Sequence, residues 1–195
     1  MTQNKHWSDW LCGLDACDEP IKWAGTMPDP QTAWSKCDDP SWMLWITEKL
    51  CGKRGSARHR RVILATCACA RLVLSRIAII EERPKKAVEL AEAWARRKPG
   101  VTLKMVRAAY DVVDKAAYTA PIYSASHVMD TVAYVVLGVV IHANIDHVAR
   151  CPVLIIDYAA RGVANRPGEL NVRFLRIIHR MLPDVPKWFK KYRRC

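Results

Sequence analysis

Apolar residues recur every three and four positions along most of the chain, which is the pattern of amphipathic helices. Asp29-Pro30 and Asp39-Pro40 each place a capping carboxylate directly before a proline, and proline is tolerated at the first position of a helix. Gly52 and Gly100 fall where the preceding apolar patterns end. The sequence therefore predicts helices near residues 7–13, 18–25, 30–37, 40–51, 58–80, 83–97, 102–119, 122–149, 152–163 and 168–182.

The segment 58–80 is apolar on most sides, which is typical of a central helix that other helices cover. The run Val132–Ile141 is rich in β-branched residues, but its flanks have helical periodicity, so we predict a helix there as well. Its ten residues are too few to span a bilayer as a helix. We therefore predict an all-α, single-domain bundle over 1–185, made of short Trp-rich helices (1–51) and a helical body (58–182), followed by a basic aromatic tail over 186–195.

Tryptophan dominates the aromatic residues, with eight Trp against two Phe, and three of the tryptophans lie within residues 34–45. Such a cluster forms either a buried staple or an exposed recognition surface, because tryptophan combines a large apolar area with one N–H donor. Trp42 and Trp45 lie three residues apart on one helical face, directly after the Asp39 cap. This placement favours a structural core role for five tryptophans, Trp23, Trp34, Trp42, Trp45 and Trp94.

The formal net charge of +12 is unevenly distributed along the chain. Residues 1–50 carry four Lys/Arg and eight Asp/Glu, whereas residues 51–110 carry fifteen Lys/Arg and four Asp/Glu. A basic body behind an acidic N-terminal region indicates an anionic partner for the body, either nucleic acid or an acidic protein face. A solvated surface that keeps the protein soluble is the alternative.

The eight cysteines and six histidines form no recognised metal or catalytic motif. Cys67 and Cys69 lie two apart in a predicted helix, so their side chains point about 200° apart. The first residues are polar and lack the apolar run of a signal peptide, which predicts a cytoplasmic protein with reduced thiols. We predict no cofactor, no metal, no membrane partner and no enzymatic activity; if the chain were an enzyme, the first candidates would be His142, Asp146, Cys67 and Tyr110.

Two segments concentrate basic side chains. Residues 52–61 hold five Lys/Arg, and residues 187–194 interleave three aromatic residues with cations, a composition that suits phosphate contacts and base stacking. Alternatively, the aromatic residues of the tail pack on the body while its cations stay solvated. The candidate partner-binding residues are Lys53, Arg54, Arg58, Arg60, Arg61, Lys187, Trp188, Lys190, Lys191, Arg193 and Arg194, with Trp188 as an anchor.

Several stretches of the first 110 residues, and a weaker one near residues 175–183, carry a family resemblance. They are Asp15-Ala-Cys17, Ile21-Lys-Trp23-Ala, Ala33-Trp34-Ser-Lys-Cys37-Asp, Trp42-Met-Leu-Trp45, Arg61–Leu74, Arg83-Pro84, Ala87–Ala95 and Val101–Ala109. This pattern resembles a family of bacterial and phage proteins described as immunity proteins, while residues 123–148 depart from it. The resemblance implies an all-α fold and a non-enzymatic, inhibitory binding role.

Together these observations predict a binding protein that inhibits a protein partner by occlusion, of the toxin-immunity or phage anti-defence (anti-CRISPR-like) kind. Such a protein needs buried anchors and complementary charge rather than an active site. The alternative is a nucleic-acid-binding accessory protein that uses residues 53–61 and the C-terminal tail.

Overall fold

Helices account for all the regular secondary structure in the computed structural model, which describes residues 6–75, 82–119 and 167–189. The absence of strands from these residues confirms the all-α prediction. No helix within these ranges is long and apolar enough to cross a membrane. In chain order the described helices are α1 (Asp9–Cys12), α2 (Asp18–Gly25), α3 (Pro30–Lys36), α4 (Pro40–Leu50), α5 (Ala57–Leu74), α6 (Arg83–Ala95), α7 (Leu103–Thr119), α8 (Pro167–Met181) and α9 (Val185–Trp188).

The helix boundaries follow the capping residues. The Asp29 carboxylate accepts a hydrogen bond from the Thr32 backbone N–H at 2.9 Å, and the Asp39 carboxylate accepts one from the Ser41 N–H at 2.7 Å. Ser56 caps α5 by accepting from the His59 N–H at 3.1 Å. Each cap satisfies a donor that the first turn of a helix leaves without a partner. The predicted helix over 58–80 ends at Leu74, and the helices predicted at 122–149 and 152–163 lie outside the described residues.

Helix α5 is central, because it packs against α4, α6 and α8. Its face toward the core is made largely of small residues, including Ala65 and Ala70, which let neighbouring helices approach closely. Leu170, Phe174 and Ile178 lie four residues apart on α8 and form one buried stripe.

A bidentate ion pair joins α5 to α6 at the surface. Arg71 donates from Nε to Glu92 Oε1 at 2.8 Å and from Nη2 to Glu92 Oε2 at 3.0 Å. The paired geometry of a guanidinium and a carboxylate fixes the relative position of the two helices.

The C-terminal helix α9 packs on α3 and α4 and buries Val185, Pro186 and Trp188. Phe189 makes edge-on contacts with Trp7 and Trp10, with ring centroids 6.0 and 5.4 Å apart. Residues 186–189, which the prediction places in the tail, thus pack on the helices before them. The remaining tail residues, 190–195, lie outside the described part of the chain.

Candidate functional site

The N-terminus of α5 meets the C-terminal end of α8 and the start of α9, and basic side chains gather there. The Arg61 guanidinium donates from Nη2 to the Met181 carbonyl at 3.1 Å and lies 3.4 Å, Nη1 to Oδ2, from Asp184. These contacts join residues that are 120 and 123 positions apart in the sequence. We call the six cations of this region, Lys53, Arg54, Arg58, Arg60, Arg61 and Lys187, the basic junction.

One carboxylate serves two cations of the basic junction. Lys187 Nζ donates to Asp184 Oδ1 at 2.8 Å, and Arg61 approaches the other oxygen of the same carboxylate. The hydrogen bond from Lys187, then its positive charge and the hydrogen bond from Arg61, lower the pKa of Asp184 below its ordinary value. Each oxygen of the carboxylate thus faces one of the two cations.

Arg58 lies over the Trp188 ring, with its guanidinium carbon 5.3 Å from the ring centroid. Trp188 itself is only 3% exposed and belongs to the main apolar cluster. The Trp188 ring therefore packs in the core, and its predicted role as a partner anchor stays a prediction. At these two positions Trp188 packs on the body while Lys187 stays exposed.

Lys53 and Arg54 are exposed in the connection between α4 and α5, and Arg60 is half-buried. Gly52 and Gly55 in this connection have φ angles of +78° and +73°, a backbone conformation that glycine adopts without strain. The first turn of α5, which the structure describes throughout, carries no acidic residue. Cations at the positive end of a helix dipole add to its potential, so this surface attracts anionic groups.

The other four candidate cations, Lys190, Lys191, Arg193 and Arg194, lie outside the described residues. Of the eleven candidates, the structure thus brings Arg58, Arg61, Lys187 and Trp188 together at one place. Their partners, Asp184 and the Met181 carbonyl, were not predicted from the sequence. The spacing of Asp184 and Lys187, three residues apart, is the one local signal that indicates an ion pair.

The five tryptophans predicted as core residues divide into two groups. Trp34 and Trp45 are buried, whereas Trp23, Trp42 and Trp94 are half-buried and pack against the core. The Trp23 and Trp42 rings contact each other with centroids 5.8 Å apart. The half-buried tryptophans therefore form the edge of the core rather than its interior.

The tryptophans also enclose an almost entirely apolar cavity of about 60 Å³ that opens to the surface. Its aromatic wall comes from the turn before α1, from the helices α2, α3 and α4, and from the residue that follows α9. We call it the tryptophan cavity and define it by its aromatic lining, Trp7, Trp23, Trp34, Trp42, Trp45 and Phe189.

The buried cysteines are poor nucleophiles. Burial raises the pKa of the Cys69 thiol to about 12, and it raises the pKa of Cys67 further. A thiol attacks as the thiolate, so neither group is reactive near neutral pH. In the described ranges, no three His, Cys, Asp or Glu residues are arranged to hold a metal ion. His142 and Asp146 lie outside those ranges, and Tyr110 is half-buried on α7.

Comparisons with protein-family models, curated proteins and solved structures give no match to this chain. The resemblance to immunity proteins therefore stays a prediction. The basic junction and the tryptophan cavity are therefore the two features from which a function can be proposed.

Proposed function

We propose that the chain is a non-enzymatic binding protein that inhibits a protein partner by covering its working surface, in the manner of immunity or anti-defence proteins. The observation that carries this proposal is the basic junction, in which contacts between two distant parts of the sequence bring cations together at one surface. A surface of this kind fits an acidic face on the partner.

The contacts within the junction favour binding because they restrict the side chains beforehand. Binding normally costs the rotamer freedom of long side chains, and arginine has much of it to lose. Arg61 is already held by Asp184 and the Met181 carbonyl, and Arg58 lies against Trp188. Arginine is also enriched among the residues that dominate binding energy at protein interfaces.

Nucleic-acid binding is the second candidate, and the N-terminus of α5 favours it. Cationic side chains next to a helix N-terminus suit phosphate groups as well as carboxylates. Since Trp188 is buried, it is unavailable for stacking on a base. Binding through this surface would therefore depend on charge and weaken steeply with salt.

The experiment is affinity capture with the tagged full-length chain from nuclease-treated bacterial lysate, alongside titrations of short DNA and RNA at two salt concentrations. The test variant is Lys53→Glu/Arg58→Glu. The control is Lys98→Glu/Lys104→Glu, which makes the same charge change at two exposed positions outside the junction.

The proposal expects one stoichiometric protein partner, lost in the junction variant and kept in the control. Tight, salt-dependent binding to DNA or RNA, with no nuclease-resistant protein partner, would instead establish the second candidate. Equal loss of the partner in both variants would show that net charge, rather than the junction, determines binding.

A further inference from the structure

Arg58 is supported by an aromatic ring rather than by a hydrogen-bond acceptor. Its guanidinium carbon lies 5.3 Å from the centroid of the Trp188 ring, which packs in the core. A ring attracts a guanidinium through its π face and uses none of the N–H donors. Among the described residues, no group accepts a hydrogen bond from the Arg58 side chain and no carboxylate pairs with it. The donors of Arg58 are therefore available to a ligand.

The two neighbouring cations use their donors within the protein. Arg61 donates to the Met181 carbonyl at 3.1 Å and approaches Asp184, and Lys187 donates to the same carboxylate at 2.8 Å. Arg58 and Arg61 lie three residues apart on α5, a spacing that puts them side by side on the surface of a helix. Of these three cations, Arg58 is the one whose guanidinium is left to bind something else.

The shape of a guanidinium determines what it binds best. Its planar fork of N–H groups fits the two oxygens of a carboxylate or a phosphate through two parallel hydrogen bonds, a geometry that the ammonium group of lysine lacks. Arg58 is exposed, so an oxygen acceptor of this kind can reach it from solvent. The site therefore calls for arginine and not simply for a positive charge.

The surroundings favour a single carboxylate over a nucleic-acid backbone. DNA carries a phosphate roughly every 3.4 Å along each strand, so it needs a continuous row of cations. Asp184 lies among the cations here, facing both Arg61 and Lys187, and its negative charge opposes a line of phosphates. The Trp188 ring, which could otherwise stack on a base, is only 3% exposed.

We propose that Arg58 binds the carboxylate of an aspartate or glutamate side chain on the protein partner, through two hydrogen bonds from its guanidinium. Trp188 supports the guanidinium from the core side, and Arg61 adds positive charge beside it. This inference rests on the proposed function, because the carboxylate belongs to the protein that the chain inhibits. It deepens that function by naming the chemical group that the basic junction recognises.

Two probes of the full-length chain separate a carboxylate ligand from a phosphate ligand. Dye-labelled hexaglutamate and dye-labelled hexathymidylate are titrated at one ionic strength, and fluorescence anisotropy gives their affinities. The Nε–H signals of ¹⁵N-labelled arginines show by NMR where each probe binds. The test variant is Arg58→Lys, which keeps the charge and removes the fork. The control is Arg107→Lys, the same change at an exposed position of α7 outside the basic junction.

We expect hexaglutamate to move the Nε–H signal of Arg58 downfield in a saturable manner; its disappearance in Arg58→Lys identifies that signal. Arg58→Lys should lower the affinity for hexaglutamate about 3- to 10-fold, because the bidentate pairing is lost. Arg107→Lys should change this affinity by less than about twofold, as expected for an exposed position away from the site. Hexathymidylate should bind more weakly than hexaglutamate.

Absence of hexaglutamate binding, or equal affinities in the two variants, would overturn the proposal. Tighter binding of hexathymidylate that moves the same Arg58 signal would also overturn it, since the ligand would then be a phosphate. Failure of the proposed function gives a different result. If the chain captures no protein partner but Arg58→Lys still weakens hexaglutamate binding, the carboxylate site stands and the inhibitory function is rejected. If the partner is captured while both variants bind hexaglutamate alike, the function stands and the role of Arg58 is rejected.

Discussion

The tryptophan-rich region, residues 7–45, and the basic junction hold their side chains in different ways. In the tryptophan-rich region, neighbouring short helices pack apolar rings against one another and against the core. In the basic junction, a few named atoms determine the arrangement, above all the Asp184 carboxylate and the Met181 carbonyl.

This difference separates stability from recognition. Burial of apolar rings is the larger source of folding free energy, whereas an exposed ion pair contributes little. Charges at the surface, in turn, determine which partner is attracted and in which orientation. We therefore expect changes in the tryptophan-rich region to act mainly on folding, and changes in the basic junction to act mainly on binding.

The largest expected effect is that of removing the Trp34 ring. Because Trp34 is buried, Trp34→Ala should lower the free energy of unfolding by about 3–5 kcal/mol. Trp42 is half-exposed and loses less apolar contact, so Trp42→Ala should cost about 1–3 kcal/mol. Urea denaturation measures both values. A larger loss of stability for Trp42→Ala than for Trp34→Ala would contradict the placement of Trp34 in the interior of the core and Trp42 at its edge.

Glu48, near the end of α4, should make stability depend on pH. Burial raises the pKa of Glu48 to about 7, against a smaller opposite effect of Lys49, and its Oε2 has no hydrogen-bond partner in the described part of the chain. Between pH 4.5 and about 7 the folded state binds the proton more tightly than the unfolded state. Stability contributed by the neutral carboxyl is therefore lost as pH rises through this window, by up to about 3 kcal/mol.

Glu48→Gln keeps the side chain neutral, so it should remove this loss and leave the variant more stable than the unmodified protein above pH 7. Denaturation midpoints at pH 4.5, 6 and 8 test this, with Glu89→Gln on the exposed face of α6 as the control. Parallel pH profiles for Glu48→Gln and the unmodified protein would show that Glu48 titrates normally.

Substitutions in the basic junction should change the free energy of unfolding only slightly. Arg61→Ala removes both its hydrogen bond to Met181 and its ion pair with Asp184, but the pair is largely exposed, with 41% of each side chain accessible. We expect a loss below about 1 kcal/mol together with a clear loss of partner affinity. A loss as large as that of Trp34→Ala would make the junction a part of the structural core.

Lys53→Ala should have the smallest effect on folding. Lys53 is exposed in the connection before α5, and such substitutions usually change stability by no more than about 0.5 kcal/mol. Thermal unfolding checks this expectation. A shift of the midpoint well beyond that range would reveal a contact that anchors the connection.

The same contrast explains how much the sequence could predict. The starts of α3 and α4 were predictable because Asp29-Pro30 and Asp39-Pro40 act through atoms only a few residues away. The contact between Arg61 and Asp184 was not, because it spans 123 residues and depends on how α5 and α8 pack. For Trp188 the sequence left open a partner anchor in a basic aromatic tail or packing on the body, and α9 places its ring in the core.

The cavity could not be predicted from the sequence either. Composition indicated that the tryptophans are either core or recognition surface, and the structure buries Trp34 and Trp45 while Trp23 and Trp42 are half-buried and line the cavity.

The most direct test of the separation between folding and binding is to measure partner affinity and the free energy of unfolding on the same two variants. For Lys53→Glu/Arg58→Glu we predict at least about a tenfold loss of affinity with stability changed by no more than about 1 kcal/mol. For Trp34→Phe we predict a clear loss of stability with affinity unchanged within about twofold. The opposite result, an affinity that follows Trp34 and ignores the basic junction, would contradict the account.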